Sequence, residues 1–224
     1  MNSAKTENKI GVLVSGGGTN LQSIIDNIHF GDTNATIECV ISNKKNVYAL
    51  TRAEQASIAN HVVQHGDFIS RQTFEQALIT ILDQHKVDIV VLAGFMRVLG
   101  SHFIQHYSGR ILNIHPSLLP KYSGLHTHQR ALDDGEKTHG CSVHFATAEL
   151  DGGPVIIQAS VSVLKNDTEE TLAARVLEKE HIIYPLCVKW LCENKIAYRD
   201  SVAYYDNKPL VIPLQLDQLS TDPT

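Results

Sequence analysis

Short apolar runs alternate with stretches of helical periodicity along more than half of this chain, and few folds can absorb such a pattern. Residues 10–14 are apolar and run into Ser15-Gly16-Gly17-Gly18-Thr19-Asn20, after which Leu21, Ile24, Ile25 and Ile28 recur at helical spacing. The alternation continues with a strand at 36–42, a helix at 47–56, a short strand at 61–63, a helix at 70–85, and strands at 88–93 and 111–114. Apolar strands separated by helices cannot pair through tight hairpins. They form a mostly parallel sheet covered on both faces, which is an α/β fold. Further strands are expected at 142–145 and at 155–163, the latter more alternating and so antiparallel. Thr168, Glu169, Glu170 and Thr171 mark the start of a long helix whose apolar face is Leu172, Val176, Leu177, Ile182 and Ile183. Residues 196–198 and 201–205 read as a small C-terminal antiparallel hairpin. The expected organisation is a loose N-terminus at 1–8, one domain over 9–206 and a tail at 207–224 whose last residues, 220–224, are loose.

The bulk numbers narrow the partners. A chain of 224 residues with 43% hydrophobic and 19% charged side chains can bury a continuous core, and a net charge of -5 provides no basic stripe for a nucleic-acid backbone. The apolar runs are too short for a membrane-spanning helix, and the polar residues 1–9 do not read as a signal peptide, so a cytoplasmic protein is expected. Cys39, Cys141, Cys187 and Cys192 are scattered and fit reduced thiols.

Chemistry concentrates at the end of the 111–114 run. In a strand, Asn113 and His115 project to the same face, and Pro116 and Pro120 end the strand just beyond them. An amide donor and a titratable ring aimed at one spot suit a reaction in which a carbonyl carbon becomes tetrahedral. The same pair would also fit a turn cap beside an ordinary histidine. Asp151, in Leu150-Asp151-Gly152-Gly153-Pro154, follows the 142–145 strand on the side where open α/β sheets gather ligands, and a carboxylate reaching His115 would favour the imidazolium. The Asp-Gly dipeptide alone reads equally as a turn.

The 15–20 loop lies between a strand and a helix, where backbone N–H groups can hold an anion. It lacks both the G-x-G-x-x-G spacing of a dinucleotide site and the lysine of a P-loop, so a monophosphate fits better, beside the plainer possibility of a glycine-rich turn with Thr19 as helix cap. His115, His126, His128, His139 and His144 crowd the middle of the chain. Their spacing matches no helical or finger-type zinc site, and no metal is expected. His126 and His128 read as facing opposite sides of a loop or helix start, and His144 as support near the reacting centre.

Three motifs occur in one order: residues 15–21 (Ser-Gly-Gly-Gly-Thr-Asn-Leu); Ala93-Gly94-Phe95-Met96-Arg97 with residues 113–120 (Asn-Ile-His-Pro-Ser-Leu-Leu-Pro); and residues 149–154 (Glu-Leu-Asp-Gly-Gly-Pro). Together they resemble the phosphoribosylglycinamide formyltransferases, folate-dependent enzymes of purine synthesis, over roughly residues 9–205. The middle and later motifs are shared with other 10-formyltetrahydrofolate enzymes. The resemblance implies a Rossmann-like formyltransferase domain in which Asn113, His115 and Asp151 are catalytic. It implies that Gly18, Thr19 and Asn20 hold the phosphate of glycinamide ribonucleotide, with Glu180 at its ribose. It further implies that Arg71, Met96, Arg97, Val98, Leu99 and Asn113 contact the folate co-substrate. Ser123 stands where relatives often have proline, Cys141 where threonine is common, and Leu177 where some relatives place a polar residue. The implied partners are small molecules, with monomer and homodimer both open. Two other readings use the same residues: a hydrolase of the formyl folate, and a phosphometabolite-binding module without turnover.

Overall fold

The computed structural model describes residues 7–219. In chain order its elements are β1 (Asn8–Val14), α1 (Thr19–Ile24), β2 (Ala35–Ser42), α2 (Tyr48–Gln55), β3 (Ala59–Val62), α3 (Arg71–Gln84), β4 (Ile89–Leu92), α4 (Ser101–His106), β5 (Ile111–His115), α5 (Thr127–Asp133), β6 (Thr138–Phe145), β7 (Val155–Ser162), α6 (Glu169–Cys192), β8 (Ile196–Arg199), β9 (Val202–Tyr205), β10 (Lys208–Pro209) and β11 (Leu214–Gln215). The first helix continues as a short π-helical stretch, Ile25–His29.

The main sheet has the strand order β11-β7-β6-β5-β4-β1-β2-β3, and β8, β9 and β10 form a second sheet. Pairing is parallel from β3 across to β5, then antiparallel for β5 with β6 and for β6 with β7. Strand alternation sorts the core into two layers. Ile10, Val12 and Val14 face a cluster with Leu21, Ala49, Leu172, Val176 and Tyr184, whereas Leu13 faces one with Phe74, Leu78, Leu82, Phe103 and Tyr107. Thus α1, α2 and α6 cover one face, and α3 and α4 the other.

The long helix begins as expected: Thr168 accepts from the Thr171 N–H in a reciprocal capping box, and Ser70 with Thr73 does the same for α3. Helices α4 and α5 were not foreseen. Each is under two turns, too short for periodicity to register, although Phe103 with Tyr107 and Thr127 with Ala131 are buried pairs four residues apart. The strand β6 starts at Thr138, four residues before the expected 142, because polar His139 and small Gly140 are buried in it and mask its pattern. The described part of 207–224, expected as a tail, carries short strands of its own. β10 extends the hairpin, β11 joins the main sheet parallel to β7, and Leu210, Leu214, Leu216 and Leu219 pack on the core. The expected loose end at 220–224 and most of 1–8 lie outside the described residues, and β1 already begins at Asn8.

Candidate active site

The fold decides where polar side chains on β5 and β6 can point. Leu112, Ile114, Cys141, Val143 and Phe145 belong to the core layer beneath α6. Asn113, His115, Ser142 and His144, alternating with them, therefore face the opposite side, and the cross-strand pairs are Asn113 with His144 and His115 with Ser142.

His115 is buried, with its Nδ1 3.4 Å from Asp151 Oδ2. Its Nε2 lies 2.9 Å from the carbonyl of Tyr122, so Nε2 carries a hydrogen and donates. Asp151 sits in left-handed backbone, which Asp tolerates better than most residues, and its Oδ2 also accepts from the Gly124 N–H at 2.8 Å. Asp151 arrives by a different route from the expected one. Because β6 is antiparallel, the loop after it leaves beside Leu112, toward the start of β5, and folds back to bring the carboxylate to His115. At Gly153 a Cβ would sit 1.8 Å from the Phe145 carbonyl oxygen, so this return demands glycine.

His144 fixes the Asn113 amide. His144 Nδ1 donates to the Phe145 carbonyl at 3.0 Å, which leaves Nε2 as an acceptor for Asn113 Nδ2, also at 3.0 Å. Burial lowers the pKa of His144, against smaller raising effects of the Phe145 bond and Asp151, and so keeps the ring neutral in this role. The second amide hydrogen of Asn113 has no protein partner among the described residues. Ser142 holds the loop after β5 in place: its hydroxyl donates to the Ser117 carbonyl and accepts from the Leu119 N–H and from Gln158.

The glycine loop leaves the end of β1, two strands from β5 in the sheet, or about 10 Å at ordinary strand spacing. Gly18 has φ +72° and precedes Thr19 at the start of α1. Asn20 donates to Glu180 Oε2 at 2.6 Å in a buried pair joining α1 to α6, and Asn20 Oδ1 is left without a partner. Burial raises the pKa of Glu180, and the Asn20 bond opposes this. The sheet order reverses beside β1 and β4, so the carboxyl ends of these strands open a crevice of the kind in which α/β sheets bind ligands.

Between these two centres runs the loop after β4. Met96, Arg97 and Val98 are exposed and Leu99 is buried, while Met96 N–H donates to Ser15 Oγ at 2.8 Å, tying this loop to the glycine loop. Arg71, at the first turn of α3, is largely exposed, with Nε 3.6 Å from Glu75. Glu75 was missed in the sequence. It is buried and accepts from the Gly100 N–H at 2.6 Å, anchoring the loop's far end. A carboxylate within the apolar stripe of Phe74, Leu78, Ile79 and Leu82 was the available signal. His126 starts α5 in left-handed backbone, and the His128 ring packs on His139, with centroids 5.2 Å apart. Among the described residues no group of three or more His, Cys, Asp or Glu side chains could hold a metal ion, and no helix is long and apolar enough to cross a membrane.

An imidazole held by a carboxylate, beside an amide whose donor is aimed by a neutral histidine, is a centre suited to acyl-type transfer. The sequence matches the formyl transferase family over residues 8–188, and the chain belongs to that family. It is 49% identical over 199 residues to the phosphoribosylglycinamide formyltransferase of Escherichia coli, covering 89% of this chain and 94% of that protein. The solved phosphoribosylglycinamide formyltransferase of Coxiella burnetii superposes with a TM-score of 0.88 at 48% identity, covering 93% of this chain and 98% of that one. The glycinamide ribonucleotide transformylase 1 of Symbiobacterium toebii gives the same TM-score at 40% identity, covering 92% and 97%.

Proposed function

We infer that this chain transfers the formyl group of 10-formyltetrahydrofolate to the amine of glycinamide ribonucleotide, giving formylglycinamide ribonucleotide and tetrahydrofolate in purine synthesis. The observation that carries this reading is the Asn113–His115–Asp151 constellation, assembled from β5 and a returning loop, with His144 of β6 aiming the amide, within a formyl transferase fold. The amine nitrogen attacks the formyl carbon, the carbonyl oxygen takes up negative charge, and the bond to the folate nitrogen then breaks as that nitrogen receives the proton the amine loses. Asn113 offers its unpartnered amide hydrogen to the oxyanion. His115 supports the same charge, its direct donation requiring Nε2 to exchange the Tyr122 carbonyl for the oxyanion. Asp151 orients the ring and stabilises its cation.

Gly18, Thr19, Asn20 and Glu180 bind the phosphate and ribose, and Arg71, Met96, Arg97, Val98 and Leu99 hold the folate. The crevice between the ends of β1 and β5 supports this division, and so does the bond that couples the two loops through Ser15. Holding both substrates at fixed separation makes the transfer effectively intramolecular. Neither step calls on a metal. Burial pushes the Cys39 and Cys192 thiols up to about 12, so they stay protonated and take no part in the chemistry. Incubating purified protein with the formyl folate, with and without the ribonucleotide, tests the reading. Formyl transfer that depends on the ribonucleotide is expected. Folate deformylation at the same rate without it would identify a hydrolase, and binding without turnover would leave only a ligand-binding module.

A further inference from the structure

The glycine loop is held from behind by α2. The Gly16 carbonyl accepts from the Ala49 N–H at 3.2 Å, and the Gly17 carbonyl accepts from Arg52 Nε at 2.9 Å. In a planar trans peptide the N–H points opposite to the carbonyl, so the N–H groups of Gly17 and Gly18 are turned away from α2. Neither has a protein partner among the described residues. A Cβ built on Gly16 or Gly17 meets nothing within 4 Å, whereas one on Gly18 would lie 2.7 Å from the Ala49 Cβ, so the loop is closed toward α2 and open on the other side.

Arg52 is itself fixed three ways. Besides Gly17 it donates through Nη1 to Gln22 Oε1 at 2.9 Å, and its guanidinium lies 4.8 Å from the centre of the Tyr48 ring. No carboxylate among the described residues lies within ion-pair distance of it, and Asp26 across the same depression accepts from Gln22 instead. Its charge is therefore without an acidic partner, and it stands behind a loop whose two N–H groups turn outward.

We propose that Arg52 is a positioning residue for the phosphate of the ribonucleotide, setting the glycine loop's peptide orientation through Gly17 and adding a fixed positive charge behind it. The role rests on the reading of this loop as the phosphate site. A lysine in its place could keep the charge but not the paired bonds to Gly17 and Gln22.

Steady-state kinetics with both substrates varied, on Arg52→Gln, Arg52→Lys and Gly17→Asp, tests it, with inorganic phosphate as a competing anion. Arg52→Gln is expected to raise the ribonucleotide KM and the phosphate inhibition constant together by roughly tenfold, the loss of a charged hydrogen bond, while the folate KM and kcat move far less. Arg52→Lys should recover part of the loss, and it keeps the test open should the glutamine variant fold poorly. An unchanged ribonucleotide KM in Arg52→Gln, or a folate KM rising equally, overturns the role. Gly17→Asp places a negative charge on the loop's open side. If it too leaves the ribonucleotide KM unchanged, the phosphate-site reading falls and Arg52 with it. If it raises that KM while Arg52→Gln does not, only the role of Arg52 falls.

Discussion

The two ends of the crevice are built from different materials. Around His115 the groups offered are largely buried side chains distributed over β5, β6 and the 146–154 loop, fixed by one another and by backbone groups: Asp151 faces the ring of His115, which donates to the Tyr122 carbonyl, and His144, held by the Phe145 carbonyl, aims the amide of Asn113. At the end of β1 the groups offered to a ligand are backbone N–H groups, oriented by carbonyl bonds to α2, with Asn20 and Glu180 as a single buried side-chain pair. On the proposed reading, the first arrangement answers charge that develops during a reaction, and the second a charge present throughout. Substitutions at the His115 end should therefore cost turnover, and those at the glycine-loop end should cost ribonucleotide affinity.

The largest effect is expected for Asn113→Ala. Loss of one oxyanion donor typically lowers kcat about 100-fold to 1,000-fold, and here the ribonucleotide KM should stay near normal. A variant that loses affinity instead of turnover would erase the contrast between the ends. Asp151→Asn retains the shape and removes the charge facing His115, so kcat should fall at least roughly tenfold and its pH dependence should change. An unchanged pH profile would show that Asp151 serves the loop through Gly124 and not the ring.

A smaller effect, opposite in sign for stability and affinity, is expected at Glu180. Its carboxyl is raised by burial, so ionisation is harder in the folded state, and the linked stability is present at low pH and lost as pH rises through the raised value. Glu180→Gln should raise Tm slightly at neutral pH, an advantage that disappears in acid, while the ribonucleotide KM rises several-fold, about the value of one hydrogen bond. Thermal melts across pH, alongside kinetics, read both.

The smallest effect concerns stability alone. Burial, then the neighbouring His128, lowers His139 from 6.5 to about 4, so the folded state resists its protonation and stability is lost as pH falls through that window. His139→Asn should show a shallower decline of Tm over that range with transfer activity retained. An identical decline would place the acid sensitivity elsewhere, with His144 the next group to examine because burial lowers it in the same direction.

Most of the scaffold was legible because long runs carry their periodicity in the sequence. β1, β2, β4, α3 and α6 fall close to their expected places, and Thr168 and Ser70 cap as their types dictate. What escaped was short or had its pattern hidden, namely α4, α5, the first half of β6, and the two-residue strands β10 and β11. The pairing of Asn113 with His115 followed from strand alternation alone. That Asp151 meets His115 required a loop to double back from an antiparallel strand, and no local pattern encodes such a path. The Asn113–His144 bond depends on cross-strand register, and the outward-turned glycine peptides depend on where α2 packs. Sequence spacing carries neither.

The sharpest single test is a single-turnover formyl-transfer measurement on His115→Ala with both substrates bound at saturation. Substrate binding close to wild type, with the transfer step slowed at least about 100-fold, is the predicted result. Transfer at a near wild-type rate would contradict a catalytic centre at His115, however closely the fold matches its relatives.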